Sequence, residues 1–257
     1  MTTEYSGAGD PRRSIDLLWG RVPTSVARRG PRPKFTVPGI VAVAVELADA
    51  EGLAAVSMRR VAERLGVTAM SLYTYVPSKA ELLDVMVDAV CGEAVLDEHS
   101  GATLRERLQE VAERNWRLYR AHPWLLQVAT SRPVLGPNAI AKYDFELRAF
   151  EGAGVPDVST DQLLGLLLDY VTGAVRAAVL AGQAEQRTGR SDAQWWADWA
   201  PLLGEVLDPA RFPTAARIGA AAGEEYGAGD PQRAFAFGLQ RVLDGIELFV
   251  GRPRDRR

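Results

Sequence analysis

The stretch 57–79, SMRRVAERLGVTAMSLYTYVPSK, constrains this 257-residue chain more than any other. Ser57 caps a first short helix, and Val61, Ala62 and Leu65 form its apolar face. Gly66 stops that helix, because glycine takes the left-handed backbone of a tight turn without a Cβ clash. Thr68 caps a second short helix running to about Tyr75, anchored by Leu72 and ended by Pro77. Ala62 is small where the second helix must cross closely, and Val67 plugs the core beneath the turn. Upstream, Ile40, Val43, Ala44, Leu47 and Ala48 keep the i, i+3, i+4, i+7 spacing of another helix, with Gly52 as its C′ residue. Three helices in that order, with a glycine turn before the last, make a helix-turn-helix unit rather than a helical hairpin in a core.

The rest of the chain is helical as well. Ser78, Lys79, Ala80 and Glu81 read as a capping box ahead of the core-facing stripe Leu82, Leu83, Val85, Met86, Ala89 and Val90. Further patterns cover about 103–121, 123–131, 137–153, 160–187, 191–206, 214–222 and 231–250, broken by prolines and glycines. Hairpin-bounded alternation and solenoid repeats are absent, so the expected fold is all-α. Residues 1–35, rich in Gly, Pro, Ser and Arg, read as a flexible basic arm. Residues 36–91 form the helix-turn-helix domain, and 92–257 a larger helical domain.

Charge at first argues against DNA: the net is −3 and the pI about 5.6. The average hides a division, because residues 1–36 carry +4 and residues 57–79 carry +3. The remainder therefore sums to −10, and a basic N-terminal end sits on an acidic body. A single cysteine, Cys91, excludes a disulfide framework and any multi-cysteine metal site. The two histidines, His99 and His122, leave little for a His-rich site, and no P-loop, GxSxG, HExxH or GxGxxG is present. The expectation is a non-enzyme without metal or cofactor. The polar N-terminus does not read as a signal peptide, and the most apolar stretch, 163–181, carries Asp169 and Arg176. A cytoplasmic protein with no membrane span is expected.

Residues 38–90 resemble the tetracycline-repressor (TetR/AcrR) family of bacterial transcription regulators. The most specific part runs from Ala69 to Leu83: small, small, x, Leu, Tyr, x, Tyr/His, Val/Phe, x, x, Lys, x, x, Leu, Leu. The resemblance covers about a fifth of the chain, and the remainder is similar to the family's body in length and helix order. It implies that Tyr73 and Lys79 contact phosphates, that Ser57 touches the DNA backbone, and that Arg59 reaches a base edge or a phosphate. Thr68, Ala69, Met70, Ser71, Thr74 and Tyr75 would face the major groove. The tetracycline repressor itself starts this helix with Gln–Pro–Thr and carries a Trp–His pair in it. Here those places hold Ala69, Met70, Ser71 and Thr74, Tyr75, so its operator does not transfer. Readout would lean on Arg59, Ser71, Tyr75 and apolar contact with thymine methyls. Arg28 and Arg29, in the run to Lys34, either enter a minor groove or belong to a solvated tail.

In the body, Phe235, Leu239, Val242, Ile246 and Phe249 step by four and three, an a/d seam suited to another helix. The resemblance implies that this helix and the one over 160–187 pair with their twofold mates, giving a homodimer that reads a near-palindromic duplex operator. It also implies an effector cavity in the body. Trp116, Tyr119, Trp124, Phe145, Tyr170 and Trp195 are the candidate lining, suited to a small hydrophobic or aromatic ligand. Asp169 and Arg176, seven apart on one helix face, either orient a polar ligand group or pair across the dimer. The expected function is a repressor released from its operator by such an inducer. The alternative is a helical ligand-binding or scaffolding protein without useful operator affinity.

Overall fold

The computed structural model describes residues 4–21, 35–95, 98–129 and 132–251. Arg28 and Arg29 lie outside them. Eleven α-helices carry the architecture: α1 (Pro11–Leu18), α2 (Val37–Glu51), α3 (Met58–Leu65), α4 (Ala69–Tyr73), α5 (Lys79–Cys91), α6 (Leu104–Ala121), α7 (Pro137–Arg148), α8 (Asp157–Thr188), α9 (Asp192–Val206), α10 (Pro213–Tyr226) and α11 (Pro231–Val250). Among the described residues the fold is all-α but for one parallel pair of two-residue strands, β1 (Glu4–Tyr5) and β2 (Val128–Ala129).

Helices α2 to α5 enclose one core. Ile40, Ala44, Leu47, Val61, Ala62, Leu72, Val76, Leu82 and Met86 are all buried in it. Leu118, Trp124, Leu125 and Val128 belong to the same cluster, so the end of α6 and the turn after it pack onto the head. The second core joins α6, α7, α8 and α11 through Val111, Trp116, Phe145, Leu167, Val171, Phe235 and Leu243. Helix α8, at 32 residues, is about 48 Å long at 1.5 Å per residue. It is long and apolar enough to match a membrane span, yet Leu164, Leu167, Val171 and Val175 are buried in this core.

Three expectations need correction. Residues 1–35 are not all flexible arm, because 4–21 fold. Asp10 caps α1 by accepting the Arg13 N–H at 2.9 Å, Pro11 opens the helix, and Leu17 is buried in the head core. The stretch is short and its partners are far along the chain, so local pattern alone does not mark it as folded. The helix expected over 123–131 is instead a 3₁₀ turn over Pro123–Gln127, since β1 draws Val128 and Ala129 into extended pairing. The seam on α11 does not face outward either: Phe235, Leu239 and Ile246 are buried against α6 and α8 of the same chain. Val242 is half-buried and Phe249 is 42% exposed. Periodicity reports that a face is buried, not by which partner.

The capping box at α5 also differs. Ser78 accepts the Ala80 N–H at 3.1 Å, and the Ser78 hydroxyl donates to Glu81. The Glu81 carboxylate is turned towards the N-terminal segment, where it accepts the Asp10 N–H at 3.2 Å.

Candidate nucleic-acid interface and effector groove

The turn between α3 and α4 is built as the sequence demands. Ser57 accepts the Arg60 N–H at 3.2 Å and Gly66 adopts φ +70, ψ 33. The Val67 N–H closes the turn on the Ala62 carbonyl at 2.9 Å. Thr68 then caps α4 by accepting the Ser71 N–H, with its hydroxyl 3.0 Å from that of Ser71. Leu72 is the one fully buried side chain of α4, so the opposite face is left to solvent.

That face carries Met70, 74% exposed, with Ser71, Tyr73 and Thr74 also exposed and Thr68 at its start. The Thr74 hydroxyl donates to the Ser71 carbonyl at 2.7 Å. Ala69 and Tyr75 are half-buried and packed against the head core, so they offer less to a groove than their neighbours. Ser57 is half-buried at the start of α3, next to the exposed Arg59.

Every cation between 57 and 79 already has a carboxylate. Arg59 pairs with Glu63 one turn on, at 2.8 Å. Arg60 and Arg64 both hold Glu51, at 2.7 and 3.0 Å, and the Arg60 hydrogen bond, with Arg64 beside it, keeps that carboxyl below the usual range. Lys79 is paired with Glu4 of β1 at 2.8 Å. These pairs are solvent-exposed and weak enough for a phosphate to exchange into them. The local charge of +3 is thus offset by Glu51 and Glu4, two acids outside the stretch.

Head and body are joined by a polar link that no sequence window displays. His122, after α6, places Nδ1 2.8 Å from Asp49 of α2 and Nε2 3.0 Å from Glu93. The Trp124 indole N–H donates to the same Asp49 oxygen at 2.8 Å. The two carboxylates outweigh burial and raise the His122 pKa. On the other side of α5, Asp88 accepts the Ala139 N–H at 2.9 Å and Asn138 Nδ2 at 3.1 Å, tying α5 to the start of α7. Burial raises the pKa of Asp88, and likewise of Asp84.

The six aromatics named as candidate lining do not converge on one cavity. Trp116 borders a groove of about 590 Å³ between α6 and α11, together with Gln109, Arg117, Arg120, Phe235 and Gln240. A smaller recess of about 340 Å³ continues from Trp116 and Arg120 towards α8 and the start of α9. Trp116 stacks on Phe235 at 4.1 Å. Tyr170, whose hydroxyl donates to the Ala234 and Phe235 carbonyls at 3.0 and 2.7 Å, lines a separate shallow recess with Asp169 and Gly173. Trp124 is fully buried in the head–body junction, and Phe145 is buried against His99 at 4.1 Å. Trp195 stacks on Trp199 at 5.5 Å on the outside of α9. Tyr119 is half-buried between the two cores. Arg176 donates to the Leu126 carbonyl at 3.1 Å within its own chain, away from Asp169.

His99 and Cys91 are both held within the packing of the chain. His99 spends both ring nitrogens, on Glu110 at 3.1 Å and on the Phe145 carbonyl at 2.8 Å. Burial pushes the Cys91 thiol up to about 11, which removes it as a nucleophile near neutrality. No group of three His, Cys, Asp or Glu suited to a metal occurs among the described residues.

A helical head that presents one capped turn to solvent, set on a larger helical body, defines a helix-turn-helix DNA-binding regulator. Residues 40–86 match the family described as "Bacterial regulatory proteins, tetR family", and residues 96–250 match "Tetracyclin repressor-like, C-terminal domain". The chain belongs to the TetR family of transcriptional repressors. It is 43% identical to the HTH-type transcriptional repressor DrrR1 of Streptomyces coeruleorubidus, over 98% of this chain and 92% of that one. It is 26% identical to the tetracycline repressor protein class C of Escherichia coli, over 83% and 91% of the two chains. Among solved structures it is similar to the TetR family protein ActR of Streptomyces coelicolor in complex with actinorhodin, with a TM-score of 0.69 and 28% identity. That match covers 87% of this chain and all of ActR.

Proposed function

We propose that this repressor acts as a homodimer on a near-palindromic operator and lets go when a small apolar or aromatic effector enters its body. The carrying observation is an apolar face that the single chain leaves bare. Leu166, Gly173, Ala177 and Leu180 line one side of α8, and Phe237 and Leu248 stand out from α11 beside it, 66% and 63% exposed. Apolar area of that kind on two adjacent helices favours a second copy, and a twofold pair presents two recognition helices to one duplex.

Met70, Ser71, Thr74 and Thr68 then meet the groove, while Tyr73, Ser57, Arg59 and Lys79 meet the backbone. The groove at Trp116 suits the effector: an indole face with Phe235 stacked on it, and Arg117, Arg120, Gln109 and Gln240 as polar fixers. The similar protein ActR has been solved in complex with actinorhodin, which supports a small-molecule effector here. An effector acts here by favouring one docking of head on body over another, which needs only about 1–3 kcal/mol of differential affinity. A protein that binds chromosomal DNA in this way works in the cytoplasm.

The test is sedimentation velocity at micromolar concentration combined with gel retardation on genomic fragments. A dimer is expected, with selective retardation of few fragments. Phe237→Glu should give monomers and abolish the retarded band, because it buries a carboxylate in the apolar contact. A monomeric wild type, or equal retardation of all fragments, overturns the proposal in favour of a ligand-binding or scaffolding protein.

A further inference from the structure

The N-terminal segment 4–21 ties three places together. Its strand β1 pairs with β2 of the body, and the Ser6 hydroxyl donates to the Arg132 carbonyl at 2.8 Å. The Trp19 indole N–H donates to the Leu135 carbonyl at 3.0 Å, further along the same stretch. Towards the head, the Gly7 N–H and the Ser14 hydroxyl reach the two carboxylate oxygens of buried Asp84, at 2.9 and 3.3 Å. The Asp10 N–H reaches Glu81 at 3.2 Å, and Gly9 lies so close to Glu81 that a Cβ there would collide with it. At the leading end of this strap stands Glu4, its carboxylate on the Lys79 ammonium.

Lys79 is the cation that the resemblance places on a phosphate. An ammonium half in solvent cannot keep a carboxylate partner and take a phosphate oxygen at full strength. The Glu4 backbone is held by the body through its pairing with Val128. We propose that residues 4–21 are a strap whose Glu4 competes with the operator phosphate for Lys79, so that the grip on DNA depends on how firmly the body holds the strap. The inference rests on the DNA-binding reading above and adds a regulatory contact to it.

The experiment measures affinity against salt for the full chain, on a duplex that the protein has itself selected from a randomised pool. Glu4→Gln keeps the size of the side chain and removes its charge. Binding should tighten about two- to fivefold, the range expected for losing one competing exposed ion pair. The slope of log K against log salt should steepen by somewhat under 0.9, the value for one added phosphate contact. Ser6→Ala, which loosens the strap from the Arg132 carbonyl and alters no charge, should recover part of that gain. In a Lys79→Ala background the gain from Glu4→Gln should disappear.

If Glu4→Gln or Ser6→Ala binds like wild type while Lys79→Ala weakens binding, the strap proposal falls and the DNA interface stands. A gain that persists undiminished without Lys79 means plain repulsion between Glu4 and DNA, and also overturns the competition. If Lys79→Ala changes nothing, both the strap and the assigned phosphate contact are wrong.

Discussion

Replacing His122 by glutamine tests the link between head and body through its pH dependence. The imidazole lies between Asp49 and Glu93, and its pKa is raised above the ordinary 6.5. A histidine that holds its proton more tightly when folded adds stability in full below about pH 6.5 and loses it as the pH climbs through the folded value. Asp84 and Asp88, raised by burial, have the same sign, but both are present in wild type and in His122→Gln and so cancel from the difference between the two proteins. Cys91 titrates near 11. The difference between wild type and His122→Gln from about pH 6.5 upward therefore reports on His122. Glutamine keeps one donor and cannot titrate, so one of the two charged contacts is lost. Such a contact is worth about 1.5–3 kcal/mol when buried. Glu93 is 56% exposed, which lowers the expected cost to about 1–2 kcal/mol at pH 6.5. Urea unfolding at fixed protomer concentration is the assay. The wild type should lose its advantage over His122→Gln as the pH rises from about 6.5, the two curves converging at the upper end. Parallel curves would refute the assignment.

Two further substitutions address the head and the body separately. Gly66→Ala places a Cβ where no atom lies within 4 Å, so its cost should come from the positive φ alone, about 1–2 kcal/mol in thermal unfolding. A loss beyond about 3 kcal/mol would mean the turn is strained for another reason. Arg117→Ala, at an exposed position of the groove wall, should weaken the tryptophan quenching by aromatic compounds that carry an acceptor group while leaving operator binding intact. Unchanged quenching would move the effector site away from the groove.

Local signals carried much of the fold. Thr36, Ser57, Thr68, Thr103, Ser191 and Asp230 each accept the backbone N–H that their position predicts, and Gly66 and Gly189 take the left-handed turn. These signals act over three or four residues, and a sequence window sees them. Contacts between distant residues stayed hidden. His122 meets Asp49 across 73 positions, and Lys79 meets Glu4 across 75. Asp10 and Pro11 did announce a helix start, but α1 is only eight residues long and buries only Ser14 and Leu17. The pairing of strand β1 with Val128 and Ala129 had no local mark at all. The seam on α11 was legible as a pattern and misread as an interface, because the same spacing serves either side of a helix that has a core of its own.

Helix α4 is five residues long, about 7.5 Å of axis, and a duplex rises about 3.4 Å per base pair. On the DNA-binding reading proposed above, one head would scan two or three base pairs with Met70, Ser71 and Thr74, none of which makes the two-pronged hydrogen bond that singles out a guanine. Even read twice over, such a word of about five base pairs recurs roughly once per thousand in random sequence, far too often among the ~10⁶–10⁹ sites a genome offers. In the proposed dimer, addressing one promoter would draw its missing information from elsewhere: from the stiffness and groove width of the bases between the two words, and from the distance at which the paired bodies hold them apart.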